Sequence, residues 1–117
     1  MSENADIRPP INADWLARMR STNPEFLAKL FEVFLEDEPQ RLAALGEAVA
    51  KADLEMVRYL THSIKGAAAT LGMERLRDAA REMEFAARDG QTQALEVQYA
   101  RVRAEVEAVF AVMRSTK

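Results

Sequence analysis

His62 is the only histidine in the chain, and Cys is absent. Disulfides and thiol nucleophiles are thereby excluded, and Cys-based or His-cluster metal sites have no ligands to draw on. A Ser-His-Asp triad would need a nucleophile elbow, and no G-x-S-x-G occurs. The phosphate loop G-x-x-x-x-G-K-[ST] is missing as well, so phosphorylation from ATP by this chain is not expected. The residues that could do chemistry lie in Thr61-His62-Ser63-Ile64-Lys65-Gly66-Ala67-Ala68-Ala69-Thr70-Leu71-Gly72. At about 100° of helical rotation per residue, His62 lies roughly 160° from the centre of the Val57-Leu60-Ile64-Leu71 stripe, so it points away from the core. Gly66 follows one turn later on the same outer face and Ala69 continues the line, with Arg58 and Lys65 bordering it. An outward helix surface normally carries long charged side chains, but here an imidazole stands over a low shelf. Glycine in mid-helix costs about 1 kcal/mol relative to alanine and marks close approach of something else. That something is either another protein seated on the shelf or a neighbouring helix packed in the interior. The first reading suits a phosphate-accepting imidazole met by a partner, with Lys65 neutralising phosphoryl oxygens.

The rest of the chain must position that helix. Its 117 residues suffice for one domain with a real core. Sixteen Lys and Arg against nineteen Asp and Glu leave a net charge of −3, which speaks against nucleic-acid or anionic-membrane binding. No apolar run approaches the roughly 20 residues of a membrane span. The start Met-Ser-Glu-Asn-Ala-Asp is acidic where a signal peptide is basic and apolar, so a cytoplasmic location is expected. Only four Gly and four Pro favour helix over strands joined by turns.

Residues 1–12, with Pro9-Pro10, predict a flexible or extended lead-in, followed by one domain over 13–117. Asn12 or Asp14 is placed to cap a short helix bearing Trp15, Leu16 and Met19. Asn23-Pro24-Glu25 suits the start of a second helix, whose apolar residues Phe26, Leu27, Leu30, Phe31, Phe34 and Leu35 resume at Leu42, Leu45 and Val49. Pro39 lies between the two stretches and is expected to kink or split that helix. Phe26, Phe31 and Phe34 are expected in the core, and Trp15 at one end of it. Asp53 caps a third helix from about Leu54 to Leu71, with Gly72 as its left-handed end. A fourth carries Leu76, Ala79, Ala80, Met83 and Ala87 and stops at Asp89-Gly90. A fifth begins near Thr92 and shows Leu95, Tyr99, Val102, Val106, Val109 and Met113 at alternating spacing. The expected fold is all-α: an up-and-down antiparallel four-helix bundle with a short N-terminal accessory helix. No second long apolar face is left over, so a monomer is expected.

His62-Ser63-Ile64-Lys65-Gly66-Ala67-Ala68 with Leu71-Gly72 resembles the signature of histidine-containing phosphotransfer (HPt) domains. Asp53-Leu54 ahead of it and Met83-Glu84-x-Ala86-Ala87-Arg88-x-Gly90 behind it fit the same family. The resemblance spans about residues 13–114. It implies a phosphorelay intermediate that accepts a phosphoryl group from a receiver-domain aspartate and passes it to another. Carried over, His62 is the acceptor through Nε2, Lys65 lies beside the phosphoryl group, and Gly66 makes room for the receiver. Glu84 matches a position that holds the other ring nitrogen, although an ordinary solvated Glu is the alternative there. Arg58, Gly66, Ala69 and Met73 are the expected partner-facing residues, with Arg75 at the rim; core packing is the alternative for Met73, and solvated charge the alternative for Arg58 and Arg75. The partners implied are response-regulator receivers and a hybrid histidine kinase. This chain would need no cofactor, since Mg²⁺ would sit on the receiver. Two other readings remain at this level: the phosphorylatable domain of a chemotaxis-type or hybrid kinase, and a helical scaffold in which His62 is incidental.

Overall fold

Asn12 opens the first helix by accepting a hydrogen bond from the Trp15 N–H at 2.9 Å through its side-chain oxygen. The computed structural model describes residues 7–115. Within them α1 spans Ala13–Thr22, α2 Pro24–Ala50, α3 Leu54–Thr70, α4 Glu74–Arg88 and α5 Leu95–Ser115. A 3₁₀ turn over Thr92–Ala94 leads into α5, and no strand occurs among the described residues. Asp53 caps α3 as its type predicts, with Oδ1 3.1 Å from the Met56 nitrogen. Asn23 departs from expectation, since its side chain makes no capping bond. Its N–H donates to the Met19 carbonyl at 2.8 Å, so it closes α1 instead.

Contacts run α2 to α3, α3 to α4, α4 to α5 and α5 back to α2, around one core. The periodic residues of α3, α4 and α5 supply most of it: Val57, Ile64, Ala68, Leu76, Met83, Val102 and Val106 are fully buried. Burial of this kind stabilises by about 25 cal/mol per Å² of apolar surface. Phe34 and Phe110 meet edge to face across the α2–α5 seam, 5.8 Å between centroids. Nearby, the Tyr99 hydroxyl donates to the Leu42 carbonyl at 3.0 Å. Tyr99 comes so close that a Cβ on Gly46 would lie 2.6 Å from its hydroxyl oxygen, so any side chain at this crossing would have to push the Tyr99 ring aside.

Three expectations are corrected. Pro39 does not split α2, which runs unbroken from residue 24 to 50. Proline removes one backbone donor, but Phe31, Phe34 and Glu38 before it and Leu42 and Leu45 after it are all buried on one face, and that packing holds the helix together. Phe26 is half exposed, at 50%, because Leu27 beside it takes the inward position in the first turn. Of the flexible or extended lead-in expected over 1–12, residues 1–6 lie outside the described residues, while residues 8–12 are docked. Arg8 pairs with Asp78 at 2.9 Å, Ile11 is 2% exposed, and the Asn12 N–H donates to the Gly72 carbonyl at 2.7 Å.

Three helices end in the same motif. Past α2, α3 and α4 a residue with positive φ (Ala52 at 53°, Gly72 at 70°, Gly90 at 75°) turns the chain so that the next N–H reaches back into the last turn. Asp53 bonds Ala48, Met73 bonds Ala68 and Gln91 bonds Ala86, at 2.9, 2.9 and 2.8 Å. Left-handed backbone costs an L-residue about 1–2 kcal/mol, and only the first of the three ends has a non-glycine there. Ala52→Gly is therefore expected to stabilise the protein by roughly 1 kcal/mol. Gly90→Ala, where an added Cβ meets nothing within 4 Å, is expected to cost about as much through φ alone. Denaturant unfolding of both variants checks the pair.

Candidate functional site

The third and fourth helices pack closely along their length. Ala68 on α3 and Ala79 and Ala80 on α4 are buried, and the α3–α4 contact is the most extensive in the molecule. The connection is only Leu71–Met73, so α4 turns straight back along α3. Consequently Glu84 lies beside His62, with its Oε2 3.0 Å from the imidazole Nδ1. Its other oxygen, Oε1, is 2.8 Å from Lys65 Nζ. One carboxylate thus meets both α3 side chains that the sequence singled out. The orienting role expected of Glu84 has the geometry it needs.

Exposure separates these groups. The His62 side chain is 70% exposed, whereas Glu84 is 17% and Lys65 27% exposed. Burial alone would push the Glu84 carboxyl up. Hydrogen bonds from Lys65 and His62, with their charges, outweigh it and hold the group below the usual carboxylate range. An ionised carboxylate can only accept, so the proton of the neutral ring sits on Nδ1. Nε2 is then left with a free lone pair on the exposed side chain, the arrangement of a nucleophile.

His62 opens onto a hollow lined by Glu55, Arg58, Tyr59, Ser63 and Glu84. Arg58 is thus where the sequence reading put it. Tyr59, 69% exposed, was missed; its signal was available, as a large aromatic one turn before His62 on the same face. Gly66 and Ala69 are exposed. A Cβ built on Gly66 would meet nothing within 4 Å, so the packing-glycine alternative falls and the open shelf stands. Beside the shelf, Gly66, Ala67 and Thr70 border a groove against Leu30 and Val33 of α2.

Two expected rim residues are elsewhere. Met73 is fully buried: it is the residue after the left-handed Gly72, and that turn drives its side chain into the core. Arg75 is tied up structurally, with Nη1 donating to the Arg8 carbonyl at 3.0 Å and Nε 2.9 Å from Glu105. Among the described residues no group of three His, Asp or Glu side chains is placed to hold a metal ion. No helix there is long and apolar enough to cross a membrane.

A family model described as the Hpt domain matches residues 29–112. The fold is similar to that of histidine-containing phosphotransfer protein B from Pseudomonas aeruginosa PAO1, known from its crystal structure. The TM-score is 0.85 at 24% identity, covering 92% of this chain and 94% of that one. No curated protein matches.

The carboxyl groups carry a pH test. Glu84 titrates below its ordinary 4.5, so its contribution to stability is complete above that value and is lost as pH falls through the folded-state midpoint. Glu38 behaves oppositely. It is buried on α2, and burial raises it despite Arg41 at 2.9 Å, so its contribution is complete below 4.5 and is lost as pH rises through its folded midpoint. Carboxyl-carbon NMR titration is expected to place Glu84 below 4.5 and Glu38 above it. The stability of Glu38→Gln relative to the parent is expected to rise with pH, and that of Glu84→Gln to fall.

Proposed function

Since the chain belongs to the Hpt domain family, we propose that His62 is the residue on which it carries a phosphoryl group. It is a histidine phosphotransfer protein of a phosphorelay, and Hpt domains pass phosphoryl groups to response-regulator receivers. The observation that supports His62 is the Nδ1–Glu84 hydrogen bond beneath an exposed side chain. In this reading Nε2 attacks the phosphorus of a receiver's aspartyl phosphate. The N–P bond forms, the P–O bond to the aspartate breaks, and its electron pair leaves on the aspartate carboxylate. The proton stays on Nδ1, and Glu84 compensates the positive charge that develops on the ring. Transfer onward is the same path reversed, onto a second aspartate. The chain's task is positioning and charge compensation, which is most of what phosphoryl transfer asks.

We read the helices as an up-and-down antiparallel four-helix bundle of α2 to α5, with α1 accessory. The partners are receivers and a hybrid histidine kinase, and the protein works as a cytoplasmic monomer. Mg²⁺ belongs to the receiver, and this chain binds no cofactor of its own. Gly66 and Ala69 form the low ground on which the receiver sits, with Arg58 at its margin.

His62→Gln is expected to abolish phosphorylation by a phosphorylated receiver and to leave the circular dichroism spectrum unchanged, since the residue faces out. An acid-stable label, or label on the variant, would refute the assignment. Gly66→Ala is expected to stabilise the helix by up to about 1 kcal/mol, while Gly66→Gln folds but slows transfer by obstructing the receiver. Thermal unfolding and transfer rates on the two variants measure both halves.

A further inference from the structure

Resting on the reading of His62 as the acceptor that a receiver must approach, we propose that Tyr59 is the anchor by which the receiver docks. Its ring seats in an apolar recess of the receiver, beside the phosphorylated aspartate. Tyr59 lies three residues before His62 and so shares its face of α3, and both line the same hollow. At 69% it is the most exposed aromatic among the described residues. The fold makes no use of it. Phe85 is covered by the guanidinium groups of Arg81 and Arg88, 5.1 and 4.6 Å from its centroid, and the Tyr99 hydroxyl bonds Leu42. Tyr59 has no hydrogen bond or ring contact among the described residues.

A single exposed aromatic is ordinary on a protein surface, so its place decides. Attack on an aspartyl phosphate brings the phosphorus within about 3–3.5 Å of Nε2, and receiver atoms then close over the hollow. A standard interface covers about 800 Å² on each partner, a patch of roughly 16 Å radius around the imidazole. Side chains three apart on a helix are about 5–6 Å apart at Cβ. Tyr59 therefore falls near the centre of that footprint, where truncating an aromatic costs most. The surface around His62 is a step. Gly66 and Ala69 recede after it, and Tyr59 projects before it. Glu55 and Arg58, of opposite charge, line the hollow beside the ring as a polar rim. The receiver that fits carries the complement, a ridge over Gly66 and an apolar recess for the phenol ring. Such a step fixes the direction of docking as well as its strength.

The experiment compares two donors on the full chain. One is a purified receiver domain charged with acetyl phosphate and selected for transfer to the parent. The other is phosphoramidate, a small molecule that reaches the imidazole without docking. Tyr59→Ala is expected to slow transfer from the receiver about thirtyfold more than it slows phosphorylation by phosphoramidate, the fold equivalent of losing an interface hot spot. The loss is expected in KM for the receiver, since it removes binding and not chemistry. Tyr59→Phe keeps the ring and is expected to keep most of the transfer rate. Val97→Ala trims a comparably exposed apolar side chain on α5, 75% exposed, and is expected to change neither rate. Equal slowing with both donors would place the effect of Tyr59 on the imidazole itself, and the inference falls. It falls as well if Tyr59→Ala takes phosphate from the receiver at the parent rate, or if Tyr59→Phe is as slow as Tyr59→Ala. A parent that takes phosphate from phosphoramidate but from no charged receiver overturns the phosphorelay reading, and the docking anchor with it.

Discussion

The Glu84 carboxylate touches two side chains of the neighbouring helix, His62 at 3.0 Å and Lys65 at 2.8 Å, and it reaches them only because α3 and α4 lie in one register. Side chains four residues apart share a face, so a slip of a single turn would exchange Glu84 for a different α4 residue. Two features hold the register. Gly72 ends α3 in the left-handed conformation and returns the chain in three residues. The extensive packing of α3 on α4 then fixes how the two helices seat. The chemistry of the site is therefore set by the packing beneath it.

Helix α3 faces the core on one side and solvent on the other. Val57, Ile64 and Ala68 face inward and are fully buried, while His62, Gly66 and Ala69 face out. Thr61 lies next to His62 on the inward side, and its hydroxyl donates to the Val57 carbonyl at 2.7 Å, so a buried polar group is satisfied within the helix. The imidazole is held from a different helix, through a carboxylate that is itself largely shielded. An exposed imidazole with a half-buried carboxylate partner combines access from solvent with a fixed hydrogen bond at Nδ1.

The two mid-helix glycines show why residue type alone does not report a role. Gly46 and Gly66 both sit in long helices and both cost propensity. At Gly46 the Tyr99 ring fills the space a Cβ would need, and the residue serves the α2–α5 crossing. At Gly66 the space is open, and the shelf beside His62 is available to another molecule. Likewise Met73 and Arg75 follow the shelf in sequence, yet the Gly72 turn sends one into the core and engages the other with Arg8 and Glu105.

By itself the sequence determined the helical course of the chain, the cap at Asp53, the inward stripes of α3 to α5, and the outward placement of His62. These follow from a 3.6-residue period and from side chains that bond to nearby backbone, both of which act over a few residues. The structure chose Asn12 over Asp14 as the α1 cap and open space over packing at Gly66. The Hpt resemblance pointed to Glu84 as the residue beside His62, and the structure places it 3.0 Å from Nδ1. Only the tertiary structure decided that α2 runs through Pro39, that Leu27 displaces Phe26 from the core, and that residues 8–12 dock. It alone showed Lys65 paired with Glu84, and Met73 and Arg75 withdrawn from the rim. Each of these outcomes is a competition between groups distant in the chain. A proline's lost bond is weighed against the burial on either side of it, and a lysine's contact with water against a shielded carboxylate on the next helix. The terms in such a competition exist only once the helices have met.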